Sequence, residues 1–521
     1  MGAAGRVLPG MFGGFHDDAI YVLTAKAMAT GHGYRLINLP GAPPQTKYPI
    51  LYPALLAGIW RLWPSFPQNG LALHSISMLA GAFSVALAYL YLVRFGYCSR
   101  GVALATGLII ATAPVVLFFS AQALSEMPFA VLLVIALWSL EDARKAERRS
   151  AARDVLVGVV VALPFLCRTV GIVVPLIGVV LLHLAGRRVR WMWLGAALVM
   201  FPWMLWSVAA LAYSPKDPIL AYYTDYPGDW LSSGLKWPSA VITTNLMLTA
   251  VSTTISTLQG IGFMLFRLGV GAQALSTLVT LSLLLGCVSW VTLARRMRQR
   301  PVLPSILLGY GIVIVMWPWN PNRFLIPILP FLIAHVLSGV SALFNGRVVR
   351  RVVWPAFGFI LSAIVATNVW AEAHVASITR TSGYSYGFAP DDPVSWTSYR
   401  RSFEWLRAHT RQTDIIASGF DSMVSLYTER AAFRPFTHRP LSLIYGDKTP
   451  PVGTVEELSK ILKTQRASYV FQCPLPGLEI EKPFAALIAS WRAQLPNDSR
   501  LVYEDEDHRF RIFEVLNTDR Q

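Results

Sequence analysis

Charged residues are scarce in this chain, and the scarcity excludes most soluble folds. Asp, Glu, Lys and Arg make up 14% of the 521 residues, whereas hydrophobic residues make up 54%. A typical soluble domain contains about 25% charged residues. Because the deficit is spread over several long apolar runs, the sequence predicts a polytopic membrane protein with a mainly α-helical fold.

Cysteine is also rare, and its positions exclude a disulfide framework or a zinc site. The four cysteines lie far apart, without paired or metal-ligand spacing: Cys98, Cys167, Cys287 and Cys473. We predict no metal and no other cofactor. The formal net charge of +16 does not indicate a nucleic-acid partner, because the basic residues form short clusters between apolar runs. The predicted surroundings are a lipid bilayer.

Apolar runs divide the chain into three predicted parts. Residues 1–71 form a first extracytoplasmic loop with juxtamembrane helices, 72–370 a transmembrane helical domain, and 371–521 a small extracytoplasmic α/β domain. At about 20 residues per crossing, we expect about ten spans, at 72–94, 101–119, 126–140, 154–166, 170–185, 191–212, 272–294, 302–318, 324–342 and 352–370.

Basic clusters predict the orientation of these spans. They fall in alternate loops, at 94–100, 144–153, 187–190, 295–300 and 347–351. Since cytoplasmic loops carry the excess of Lys and Arg, the first polar stretch and the C-terminal region should face outward from the cytoplasmic (inner) membrane. Residues 1–15 are too short and Gly-rich to cross a bilayer, so either the N-terminus is translocated without help or a first span is missing, and we expect the second.

The first polar stretch, residues 16–53, carries the densest group of candidate site residues. Asp17 and Asp18 begin a helical pattern that ends near Thr30, and Lys47 precedes a Tyr/Pro segment. One aspartate could simply cap the helix, and Lys47 could snorkel to the interface. Three tyrosines accompany these charges, and they suit either a sugar site or an interfacial aromatic belt: Tyr21, Tyr48 and Tyr52.

Three isolated charges stand at predicted outer mouths of the bundle. Glu126 is the only charge of SAQALSEMP, Arg168 separates two short apolar segments, and Arg323 opens a Pro-containing span. Ionisable groups at membrane depth are costly and favour function, although an exposed acid or a snorkelling arginine is the alternative. Arginine binds phosphate oxygens bidentately. The stretch 213–271 is predicted to be an outer loop without a span, and its part 213–249 interleaves aromatic and acidic residues and could close over a site.

The stretch DDAIYVLTAKAMATGHGYRLINLPG, followed by TKYPILYPALLA, resembles the first outer loop of the GT-C membrane glycosyltransferases. The similarity is greatest to the bacterial group related to protein O-mannosyltransferases and aminoarabinose transferases. SEMP at 125–128 resembles that group's second-loop acidic motif, and NRFLIPILP at 322–330 resembles its Arg-aromatic-x-x-Pro-x-x-Pro segment. The resemblance covers 16–340, and it departs at the start, where relatives have a transmembrane helix.

This resemblance implies transfer of a sugar from a polyprenyl-phosphate donor at the outer leaflet, with inversion. The acceptor would be a glycolipid, a polysaccharide or a protein. Asp17 takes the position of the catalytic base, Asp18 the adjacent position where relatives often carry Glu, and Lys47 that of the lysine near the donor phosphate. We expect Arg168 and Arg323 to bind the same phosphate, and Tyr21, Tyr48, Tyr52 and Glu126 to bind substrate.

Two other functions fit a polytopic membrane protein. A transporter or flippase would place charges near mid-membrane and repeat its halves, whereas here the polar groups lie in outer loops without such symmetry. A non-catalytic subunit of an envelope-assembly complex would use its outer domain to bind partners. Both rank below the transferase.

Overall fold

A helical bundle and a small sheet, as the sequence predicts, make up the computed structural model. The structure describes residues 2–146, 150–215, 217–225, 239–317, 319–343, 347–386, 392–436, 442, 445, 448–476, 478 and 480–516. Helices α1 to α10 are Gly2–Arg6, Asp17–Ala29, Leu51–Leu62, Gly70–Arg94, Arg100–Thr112, Pro114–Ala121, Glu126–Lys145, Ala151–Cys167, Val173–Leu184 and Arg190–Leu211. Helices α11 to α18 are Pro218–Thr224, Ser239–Ile255, Gln259–Arg267, Ala272–Arg296, Val302–Val315, Asn322–Leu325, Leu329–Leu343 and Arg347–Ser382.

Length and composition allow five helical units of the described residues to cross a membrane. They are α4, α10, α14, the α16–α17 unit and the apolar part of α18. Two bent pairs, α5 with α6 at 59° and α12 with α13 at 84°, raise the number to seven if each pair is one span. Other predicted spans fall on helices that are short (α8, α9 and α15) or charged at both ends (α7). The chain is a multi-pass membrane protein.

Helices α12 and α13 lie where the sequence predicts only an outer loop, so that expectation is wrong. Polar side chains lower the hydropathy of α12, and the bundle provides hydrogen-bond partners for several of them. The Asn245 side-chain amide donates to the carbonyl oxygens of Val315 and Trp317, at 3.2 and 2.6 Å. The Thr254 hydroxyl donates to the Ser282 carbonyl at 2.8 Å. Such polar contacts between helices are common in membrane bundles.

The C-terminal part folds as the predicted α/β unit. Its helices α19 to α22 are Trp396–His409, Asp421–Thr428, Val455–Thr464 and Glu481–Gln494, and its strands β1 to β5 are Ile416–Ser418, Ala432–Phe433, Tyr469–Gln472, Ser499–Glu504 and Arg511–Val515. The sheet order is β2-β1-β3-β5-β4. Strand β1 is parallel to β2 and β3, and β5 is antiparallel to β3 and β4. A capping box formed by Thr454 and Glu457 begins α21.

The N-terminal segment and α2 are enclosed between the bundle and this C-terminal unit. Arg6 is fully buried and pairs with Glu372 of α18, with Nη2 and Oε2 2.7 Å apart. Nine of the thirteen residues of α2 are buried, because α3 packs on one side and α20 on another. Burial on several sides makes α2 part of the core.

Helices α8 and α10 cross closely because glycines face the contact. A Cβ atom on Gly158 would lie 2.0 Å from the Met192 carbonyl oxygen, and one on Gly195 would lie 2.0 Å from that of Val155. Small residues let membrane helices approach to this extent.

We predict that Gly158→Ala destabilises the protein, because the added methyl group forces the two backbones apart. Overpacking of this kind costs about 1–3 kcal/mol, which lowers the thermal midpoint in detergent. Gly58→Ala in α3 is the matched control, since a Cβ atom there meets nothing within 4 Å. An equal midpoint for both variants would contradict the prediction.

Candidate active site

A cavity of about 650 Å³ lies where the first polar stretch, the bundle and the C-terminal unit meet. Its lining includes these predicted site residues: Asp17, Tyr21, Lys47, Tyr48, Arg168 and Arg323. One part of the lining is apolar and comes from the bundle: Val170, Ile172, Val313, Ile314 and Met316. The cavity therefore offers charged groups and a hydrocarbon-like surface to the same ligand.

The start of α2 brings the acidic pair to this cavity. His16 precedes the helix with φ of 68°, and the aspartates occupy the first turn, where the helix dipole favours negative charge. The two aspartate side chains have different surroundings. The Asp17 side chain remains 18% exposed, whereas Asp18 is fully buried and accepts a hydrogen bond from the Gly13 N–H at 2.7 Å.

Two strong donors hold the Asp17 carboxylate. Arg323 Nη1 lies 2.6 Å from Oδ2, and the Tyr48 hydroxyl donates to Oδ1 at 2.6 Å. Burial by itself raises the pKa of Asp17, but the Arg323 guanidinium and other positive neighbours outweigh it and hold this pKa well below its usual range. Asp17 is therefore ionised and oriented.

Asp18 titrates differently from its neighbour. Burial raises the pKa of Asp18 to about 6, and the backbone N–H of Gly13 only partly opposes this effect. The charge of Asp17 raises it further. Adjacent carboxyl groups with separated pKa values are typical of sites that handle protons.

Glu126 lies behind the cavity lining and pairs with both Arg168 and Arg323. Its buried Oε1 accepts from Arg168 Nη1 at 2.7 Å and also from Arg323 Nε. Together with the Asp17–Arg323 pair, this gives a continuous line of alternating charges, Asp17–Arg323–Glu126–Arg168, which we call the ion-pair chain. A buried charge is tolerated only when it is paired in this way.

Lys47 lies over aromatic rings of the cavity wall. Its Nζ is 3.8 Å from the centroid of the Tyr222 ring and 5.6 Å from those of Tyr48 and Tyr223. These distances allow cation–π attraction and leave the ammonium group at the cavity surface.

Three predicted site residues lie behind the lining. Asp18 and Glu126 are fully buried. Tyr52 packs edge-on against Tyr21, with ring centroids 5.0 Å apart, and its hydroxyl pairs with Ser77 at 2.9 Å. The sequence predicts that Tyr52 and Glu126 contact substrate. In the structure each contacts a residue of the lining instead: Tyr52 contacts Tyr21, and Glu126 contacts the two arginines.

The sequence analysis missed several residues of the site. His16 and Tyr222 line the cavity, and Arg434 enters it from the C-terminal unit. Buried Asp421 accompanies Arg434, with Nε and Oδ1 3.4 Å apart. His16 stands beside the acidic pair, which is a usable signal, whereas Arg434 and Asp421 lie in a polar region where charges are ordinary. Within 213–249, Tyr226, Asp229, Trp230 and Trp237 lie outside the described residues.

Comparison with known proteins gives a family match over part of the chain and a similar fold. The family described as dolichyl-phosphate-mannose-protein mannosyltransferase matches residues 47–207. No protein with a curated description matches the sequence. ArnT from Cupriavidus metallidurans, bound to undecaprenyl phosphate, is similar in structure with a TM-score of 0.52 and 13% identity, over 97% of this chain and 95% of that one.

The fold is that of a GT-C membrane glycosyltransferase. A second similar structure is the archaeal oligosaccharyltransferase AglB from Archaeoglobus fulgidus, in complex with an inhibitory peptide and a dolichol-phosphate. Its TM-score is 0.51 at 14% identity, and the match covers 99% of this chain and 73% of that one. The GT-C resemblance that the loop motifs predict is thereby confirmed.

We predict that Glu126→Gln strongly destabilises this GT-C fold. The change leaves the buried Arg168 and Arg323 guanidinium groups with less compensating charge, and breaking a buried ion pair costs about 3–5 kcal/mol. Thermal unfolding in detergent measures the effect.

Glu429→Gln is the matched control for this change. Glu429 pairs with Lys26 at 2.8 Å, but its side chain is 56% exposed, and exposed pairs contribute at most about 1 kcal/mol. If the Glu126 variant unfolds at the same temperature as the Glu429 variant, the ion-pair chain does not stabilise the fold.

Proposed function

We propose that this chain transfers a hexosyl or pentosyl group from a polyprenyl-phosphate-linked donor to an acceptor at the outer face of the cytoplasmic membrane. The acceptor is a glycolipid, a polysaccharide or a protein. One observation carries the proposal: an oriented carboxylate, Asp17, stands among cations on a cavity that also has an apolar wall.

The lining suits a polyprenyl-phosphate sugar better than a nucleotide sugar. Lys47, Arg168 and Arg323 surround the same space, so they can stabilise a phosphate that gains charge as it departs. The apolar wall at Val313, Ile314 and Met316 offers a surface for the prenyl chain. Undecaprenyl phosphate in ArnT and dolichol-phosphate in AglB are ligands of the same chemical class, which supports this choice.

The proposed reaction is a single displacement. The acceptor oxygen attacks the anomeric carbon on the face opposite the phosphate, so the new bond has inverted configuration. The acceptor proton passes to Asp17, and the bond between the anomeric carbon and the phosphate oxygen breaks with its electron pair on the phosphate. Oriented general-base catalysis contributes about 10²–10⁴-fold.

The buried residues behind the lining act by positioning. Glu126 fixes the separation of the two arginines, and Tyr52 supports the ring of Tyr21. Asp18 holds the N-terminal segment through Gly13. The basic clusters of the sequence support an extracytoplasmic position of the site.

We predict that Asp17→Asn lowers sugar transfer by about 10²–10⁴-fold, because a carboxamide cannot accept the acceptor proton. Radiolabelled polyprenyl-phosphate sugars and an envelope extract, assayed with the protein in liposomes, give the measurement. Asp142→Asn is the matched control, since Asp142 lies at the far end of the helix that begins at Glu126.

Undiminished transfer by the Asp17 variant would contradict the assignment of the base. The same assay separates the alternatives: a transporter moves the intact lipid or solute across the bilayer without forming a new glycosidic bond. A non-catalytic subunit likewise forms no new glycosidic bond, whether or not Asp17 is replaced.

A further inference from the structure

His16 stands where the first polar stretch, α11 and the C-terminal unit converge. Its φ of 68° belongs to a region that residues other than glycine rarely adopt. Such strain persists where neighbours fix the residue, often at functional sites. The imidazole is buried except where it lines the cavity, so its position is set by its contacts.

Asp421 of α20 fixes one nitrogen of this ring. Its Oδ1 lies 2.7 Å from His16 Nε2, and its Oδ2 lies 3.4 Å from the Tyr223 hydroxyl. The nearby Arg434 guanidinium balances its charge. A carboxylate only accepts hydrogen bonds, so when the ring is neutral His16 Nε2 carries the proton and Nδ1 presents a lone pair.

The second nitrogen faces Asp17 across a gap. His16 Nδ1 and Asp17 Oδ1 are 3.7 Å apart, which is too long for a direct hydrogen bond. Both groups are acceptors and both line the cavity. A proton brought between them by a hydroxyl group therefore has two acceptors within reach.

We propose that His16, oriented by Asp421, is the second proton acceptor of the transfer reaction and relays the acceptor proton away from Asp17. This inference rests on the proposed function. The acceptor O–H bond breaks as the glycosidic bond forms, and its proton moves through Asp17 to His16 Nδ1. The phosphate leaves with its electron pair, and the imidazolium later releases the proton to water.

The relay addresses a weakness of Asp17 as a base. Its pairing with Arg323 at 2.6 Å stabilises the carboxylate and so weakens its hold on a proton, which the neighbouring His16 Nδ1 can take up. Asp421 stabilises the resulting imidazolium, as an aspartate does in a Ser-His-Asp triad. His16 and Asp17 are thus catalytic residues and Asp421 a positioning residue, so the C-terminal unit takes part in the chemistry.

His16→Gly tests the relay, because glycine adopts the positive φ without strain and leaves space for free imidazole. We expect transfer to fall by about 10²-fold or more with an unchanged KM for the donor. Added imidazole should restore turnover in a saturable way, a result that a merely structural role of His16 does not produce.

Asp421→Asn tests the positioning residue. The carboxamide can donate to Nε2 and move the ring proton to Nδ1, and this wrong tautomer should lower kcat by about 10²–10⁴-fold. Imidazole should not rescue this variant, because the ring still fills its site. Glu429→Gln, which loses a different contact between α2 and α20, should retain wild-type turnover.

The outcomes separate the relay from the proposed function. If the wild type transfers sugar and folded His16→Gly is equally fast, or is slow and not rescued by imidazole, the relay is overturned and the function stands. If the wild type transfers sugar from no polyprenyl-phosphate donor, both are overturned. Folding is followed by thermal midpoint and by size-exclusion elution in detergent.

Discussion

Four alternating charges in one line hold this site together. The ion-pair chain Asp17–Arg323–Glu126–Arg168 joins the start of α2, the short α16, the start of α7 and the break after α8. Each charge is costly to bury without its neighbours, so the four segments cannot move independently. The constraint explains how loops and helix ends, rather than one rigid element, form a site with defined geometry.

The same constraint gives the two adjacent aspartates different chemistry. Asp17 lies at the end of the ion-pair chain and is held as a carboxylate, whereas burial raises the pKa of Asp18 to about 6. The charge of Asp17 faces the cavity, and Asp18 ties the N-terminal segment to α2. On the other side of Asp17, His16 and Asp421 connect the cavity to the C-terminal unit. That unit therefore contributes a residue that contacts the site.

The sequence singles out the residues of the ion-pair chain, but not their pairing, because a charge in an apolar sequence is conspicuous. Glu126, Arg168 and Arg323 are isolated acids and bases at the ends of hydrophobic runs, and such residues favour function. Asp421 and Arg434 escape notice because charge is common in their region. Tyr52 and Tyr48 share one motif, but only the fold decides which ring faces the cavity. Helices α12 and α13 are missed because Asn, Ser and Thr lower the hydropathy of these segments, although the bundle provides partners for polar groups such as Asn245 and Thr254.

A structure of the protein with a bound polyprenyl-phosphate sugar, determined by cryo-electron microscopy in lipid nanodiscs, tests the central claim most directly. The account predicts the phosphate between Lys47, Arg168 and Arg323, the anomeric carbon beside Asp17, and the prenyl chain along the apolar wall at Val313 and Met316. A headgroup bound at the opposite end of the bundle, or a cavity that stays empty while the lipid binds elsewhere, would contradict it.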